Sequence, residues 1–173
     1  MHSSRFQDAE QPGTTERPLA EKTARALIAS AEEARKRKAD STQESISLQG
    51  HDGHVRIAFN GTPEPLSYYQ IRQASVAGQQ PLYVARHIGG RWFVVHGGKE
   101  GPHVDEVGVL TNADGVPLYT AKYDGRWYIL LSHEPMSKGY HAIYHVFARP
   151  KAIGAIARRG KEYFDVLIPL RAS

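Results

Sequence analysis

After residue 45 the chain alternates between apolar and polar positions, and it does so most clearly in two segments that are copies of each other. Pro81-Leu82-Tyr83-Val84-Ala85-Arg86, then Trp92-Phe93-Val94-Val95-His96, recurs as Pro117-Leu118-Tyr119-Thr120-Ala121-Lys122, then Trp127-Tyr128-Ile129-Leu130-Leu131-Ser132. The prolines lie 36 positions apart (81 to 117) and the tryptophans 35 (92 to 127), so the slip falls in the turn. Asp124-Gly125 predicts a two-residue hairpin turn, because the primed turns need positive φ and these residues tolerate it. Ile88-Gly89-Gly90 predicts a three-residue loop in the first copy. The turns fix the pairing: Lys122 opposite Trp127, Thr120 opposite Ile129 and Leu118 opposite Leu131. In the first copy the same rule sets Arg86 opposite Trp92, Val84 opposite Val94 and Leu82 opposite His96. Both faces of each hairpin are then apolar, which predicts that both are covered.

Elsewhere the pattern is weaker. Residues 1–17 are rich in Ser, Gln, Thr, Glu and Arg and are too poor in large apolar groups to offset the entropy of ordering, which predicts a disordered arm. Residues 18–44 read as a helix and a linker: Pro18 suits a first helical turn, and Leu19, Ala20, Ala24, Leu27, Ile28 and Ala31 recur at three and four. Arg35-Lys36-Arg37-Lys38 then suit the negative end of the helix dipole, and 40–43 form the linker. A single β-rich domain is expected over 45–173, with hairpin copies at 81–96 and 117–132. Within it 54–59 reads as a strand closed by Asn60-Gly61, 68–77 as a short helix and 139–148 as a strand. Pro150 opens a short helix over 151–159, stopped by Gly160, and 162–170 is a last, buried strand. The fold class is α+β: a mostly antiparallel, strongly curved sheet or small barrel built around the duplicated hairpin, with one N-terminal and one short C-terminal helix.

Composition narrows the chemistry. Cysteine is absent, so disulfides, thiolate zinc sites and a Cys nucleophile are excluded. Lys and Arg number 22 against 18 Asp and Glu, a net charge of +4 that permits an anionic partner without requiring one. No apolar run approaches the roughly 20 residues needed to cross a bilayer, and Met1-His2-Ser3-Ser4-Arg5 does not lead into an apolar core of the signal-peptide kind. The expected location is cytoplasmic, or exported without a cleavable signal peptide.

Two function classes follow. In the first, the repeated cation opposite tryptophan, stacked as a cation–π pair, makes an aromatic and basic platform from Arg86, Trp92, Lys122, Arg126 and Trp127. The chain is then a non-enzymatic binding domain for a protein partner, with RNA as the other candidate, and its build suits a bacterial effector or a partner of one. In the second, histidines act as general acid and base in metal-free RNA cleavage, with Arg or Lys holding the phosphate. His133, His141, His145 and Arg149 would carry that chemistry. No cofactor is implied. A metal at His141 and His145 needs a helix, since on a strand they stand about 13 Å apart. Gly97-Gly98-Lys99-Glu100-Gly101 lacks the hydroxyl residue and helix of a phosphate loop. Asp124-Gly125-Arg126-Trp127-Tyr128 resembles the Gly-Lys-Trp-Tyr core of bacterial choline-binding repeats. That match spans only these residues and the family's short repeat spacing is absent, so no site is transferred from it.

Overall fold

A computed structural model describes residues 4–41 and 46–170. In chain order the elements are α1 (Ser4–Gln7), β1 (Thr15–Leu19), α2 (Glu21–Ser41), β2 (Ile46–His51), β3 (His54–Phe59), β4 (Thr62–Pro63), β5 (Gln70–Ala77), β6 (Gln80–Arg86), β7 (Trp92–His96) and β8 (Lys99–Glu100). They continue with β9 (Glu106–Ala113), β10 (Val116–Tyr123), β11 (Arg126–Leu131), β12 (Glu134–Pro135), β13 (Ala142–Arg149), β14 (Ala152–Arg159) and β15 (Glu162–Pro169). All strand pairs are antiparallel and fall into four separate sheets: β2-β3-β4, β5-β6-β7-β8, β9-β10-β11-β12 and β1-β15-β14-β13. We call these sheets 1, 2, 3 and 4. They replace the expected single curved sheet or small barrel, and no closed barrel forms among the described residues.

Both hairpin registers are those fixed by the turns: Arg86↔Trp92, Val84↔Val94 and Leu82↔His96 in one, Lys122↔Trp127, Thr120↔Ile129 and Leu118↔Leu131 in the other. Asp124 and Gly125 both take positive φ, 51° and 78°. Each hairpin is covered on both faces because it sits inside a stack of sheets. Tyr83, Ala85, Phe93 and Val95 pack toward sheet 1 with Ile57 and Tyr68. Leu82, Val84 and Val94 meet Tyr119, Ala121, Tyr128 and Leu130 of sheet 3. The opposite face of sheet 3, with Leu118 and Ile129, packs on Ile153, Ala155, Ala157, Phe164 and Val166 of sheet 4. The turns of sheets 2 and 3 also jam together: Gly78 and Gly115 both have positive φ, and a Cβ on Gly115 would lie 2.9 Å from the Gly78 Cα.

The hairpin is in fact present four times. Gly50↔Val55, Arg86↔Trp92, Lys122↔Trp127 and Arg158↔Tyr163 are cross-strand pairs whose first members fall 36 positions apart (50, 86, 122, 158). Sheets 2, 3 and 4 add a first strand (β5, β9, β13), and all three ladders carry an irregularity near the same point. Sheet 1 has no such strand; the chain 36 positions before β5 is the second half of α2.

Several expectations are corrected. Residues 68–77 form no helix; β5 occupies Gln70–Ala77, and a bulge with Gln73 at φ 54° breaks the alternation that would have revealed it. Residues 151–159 are strand β14, since Lys151 takes φ 59° in a turn after Pro150 and the Ile153, Ile156, Ala157 spacing belongs to a strand buried on both faces. The arm over 1–17 is structured from Ser4 onward, because Phe6 is buried and β1 completes sheet 4 beside β15; residues 1–3 lie outside the described residues. Helix α2 begins at Glu21 rather than Pro18, which belongs to β1. Of the expected linker, 40 and 41 close α2, while 42 and 43 lie outside the described residues.

Candidate functional site

On sheet 2 the Arg86–Trp92 register brings a guanidinium over an indole: Arg86 Cζ is 4.9 Å from the Trp92 ring centroid. A second cation meets the same ring, Arg72 Cζ at 4.0 Å. Arg86 also reaches the Tyr69 ring at 5.5 Å, and Tyr69 is an exposed aromatic. Arg72 donates one long bond, 3.5 Å, to the Val107 carbonyl, and Arg86 Nε is buried without a hydrogen-bond partner. Among the described residues neither arginine pairs with a carboxylate, whereas the nearby Arg91 lies 3.6 Å from Asp105. The half-buried Trp92 packs against the core between sheets 2 and 3 and has two unneutralised cations at 4.0 and 4.9 Å from its ring.

Sheet 3 holds the equivalent pair differently. Lys122 stands across from Trp127, but no cation–ring contact joins them among the described residues. The place of Arg72 is taken by Gly108, 36 positions on, and the indole lies against it: a Cβ there would be 3.0 Å from Trp127 Cζ3. Trp127 packs on the core between sheets 3 and 4, and Arg126 is turned to His141, Nη1 to Nε2 2.9 Å. Of the five expected platform residues, the structure brings together Arg86 and Trp92, and adds Arg72 and Tyr69. Those two escaped the sequence reading because a helix over 68–77 hides which residues share a sheet face.

The histidines have separate surroundings. His133 is buried at the turn after β11, with Nδ1 3.0 Å from the Tyr119 hydroxyl. Burial, then the nearby Lys99, His96 and Arg5, lower its pKa to about 4, so the ring is neutral at pH 7. His145 accepts from Arg35, Nδ1 to Nη1 3.2 Å, because a guanidinium can only donate. Burial, then Arg35, push its pKa down. His141 is exposed and receives the Gly160 N–H at Nδ1, 2.6 Å, as well as meeting Arg126. Arg149 lies over the Phe147 ring at 4.8 Å, and His145 stacks on that ring at 5.1 Å. His145 and Arg149 therefore share a neighbour, while His133 and His141 share none with them. No group of three or more His, Asp or Glu able to hold a metal occurs among the described residues.

A cavity of about 850 Å³ lies where the sheets converge. Its walls are β2 (Ile46 to Leu48), β5 (Gln73 to Val76), β9 (Val109 to Asn112), β13 (His145 to Ala148) and helix α2 through Ala31, Ala34 and Arg35. No described helix is long and apolar enough to cross a membrane. No family model matches the chain, and no curated protein matches it in sequence.

Proposed function

We propose that the chain is a non-enzymatic binding domain that engages a protein partner through the aromatic and basic surface of sheet 2. The observation that carries this reading is that Arg72 and Arg86 both reach the Trp92 ring, at 4.0 and 4.9 Å, with no carboxylate on either guanidinium among the described residues. Two like charges over one ring repel, and each keeps unused donors; a carboxylate from a partner would relieve both. Exposed Tyr69 beside them supplies apolar area. Aromatic and arginine side chains clustered in this way are the usual anchors of protein interfaces.

The histidines lend no support to RNA cleavage, which needs two of them on one phosphate: His133 is buried and neutral, and His141 and His145 have separate partners. One experiment separates the classes. The chain and an Arg72→Ala/Arg86→Ala double variant are used as bait in nuclease-treated extract of cells that express the protein, and both are incubated with labelled RNA and chelator. The expected result is a nuclease-resistant protein partner retained by the parent and weakened about tenfold or more by the double variant, whose melting curve is unchanged. Equal retention by a folded double variant, retention that nuclease abolishes, or RNA cleavage lost in His141→Ala would each overturn the proposal.

A further inference from the structure

We infer that the free edge of β2 is a docking site for an extended peptide from a partner, which adds as an antiparallel strand and completes sheet 1. Sheets 2, 3 and 4 each place a strand beside the equivalent of β2: β5 beside β6, β9 beside β10, β13 beside β14. Sheet 1 leaves that place open and α2 stands across the gap, with the 850 Å³ cavity between them. The chain thus shows three times what geometry the position accepts.

Hydrogen bonding fixes which groups are free. Val55 exchanges both of its backbone bonds with Tyr68, at 2.7 Å each, so Gly50 across from it is a non-bonded pair in the β2–β3 ladder. By the alternation of an antiparallel ladder, Ile46, Leu48 and Gly50 turn their N–H and C=O groups to the open edge. The equivalent residue in sheet 2, Arg86, spends its carbonyl on the Tyr69 N–H beside β5. Among the described residues no backbone group of Ile46–His51 has a partner beyond β3. Edges of this kind are normally blunted by charge, proline or a covering element, yet here the edge carries Leu48, 53% exposed. Arg35 lines the same cavity, and Lys36 and Arg37 follow it as exposed cations on α2, which favours a strand bearing a carboxylate. Strand addition of this type draws affinity from main-chain bonds and specificity from alternate side chains. It uses neither Trp92 nor its arginines, so it stands or falls apart from the sheet 2 surface.

The probe is a labelled peptide with the sequence of β9, Glu106 to Ala113, titrated into the full chain. Saturable binding is expected, with the Leu48 and Gly50 amides gaining protection from hydrogen exchange. Leu48→Ala keeps the outward N–H and should bind; Leu48→Pro removes it and should lose at least tenfold. An Arg72→Ala/Arg86→Ala variant should bind as the parent does. The inference is overturned by absence of binding, by equal binding to a folded Leu48→Pro variant, or by a bound complex in which Leu48 and Gly50 remain unprotected. The last readout holds even if Leu48→Pro does not fold. Dimerisation of the chain alone with those amides already protected would make the occupant a second copy and overturn it as well.

Discussion

Trp92 and Trp127 stand at equivalent places and differ because of one neighbour. Where the first strand carries Arg72 the indole meets two guanidiniums, and where it carries Gly108 the indole lies against the bare backbone. A residue in the strand before the hairpin thus decides whether the ring meets a second guanidinium or bare backbone, while both tryptophans stay packed against a core cluster. His133 shows the same local control over charge. Its folded pKa of about 4 lies below the usual 6.5, so at neutral pH both states are neutral and its effect on stability vanishes. As pH falls through 6.5 the unfolded chain takes up a proton that the folded ring refuses. Stability is therefore lost progressively down to about pH 4, by up to roughly 3 kcal/mol. Urea unfolding of the parent and of His133→Gln at pH 7 and pH 4.5 checks this. The parent should lose about 2–3 kcal/mol more than the variant over that interval; equal losses would show that His133 does not resist protonation.

At the scale of elements, the N-terminal arm is a fastener between sheets. Helix α1 is a single turn, yet it places Phe6 against Tyr123 (4.5 Å, nearly parallel rings) and Tyr128 (4.9 Å), where it is 3% exposed. β1 then pairs with β15, and Glu16 on it meets both Lys138 and Arg159, at 2.8 and 2.9 Å. Burial alone would raise the Glu16 pKa, but the bonds from these cations hold it below the usual range. Phe6→Ala should cost about 3–5 kcal/mol, the range for emptying a buried aromatic site, measured by thermal or urea unfolding; a loss below about 1 kcal/mol would mean that the arm is not docked in solution. This element was illegible in the sequence because one phenylalanine among polar residues carries no period. The hairpins were legible to the exact residue pair, since Asp124-Gly125 and Gly89-Gly90 dictate their turns. β14 was not: Pro150, Gly160 and the spacing of Ile153, Ile156 and Ala157 imitate a short helix, whereas Gly154 is where the Phe147 ring lies, 2.4 Å from where a Cβ would be.

Across the whole molecule, four hairpins repeat in a blade-like order, and among the described residues the hydrophobic clusters join sheets that are neighbours in the chain. Two copies were readable because both keep Pro-Leu-Tyr and Trp. The other two keep the register but have Gly50 with Val55, or Arg158 with Tyr163, at the marker pair, so no string betrays them. Of the candidate site, Arg86 and Trp92 followed from register, while Arg72 and Tyr69 needed the packing of β5. Nearest-neighbour packing has an energetic consequence, because stability in such arrays is a sum of unit and interface terms. Sheets 2 and 3 are each held on both faces, whereas among the described residues sheet 1 shares a hydrophobic cluster with sheet 2 alone and has no first strand. Ala58, Val95 and Leu130 hold equivalent places, opposite Ser47, Tyr83 and Tyr119, and all three are buried. Native-state hydrogen exchange should therefore find the Ala58 amide opening at a free energy lower by about 1.4 kcal/mol or more, exchanging at least roughly tenfold faster than Val95 and Leu130 after correction for intrinsic rates. Equal protection at the three amides would mean that the sheets unfold as one unit. Binding of the β9 peptide to β2 should raise protection at Ala58 more than at Leu130, because the added strand bonds directly to sheet 1 and completes it.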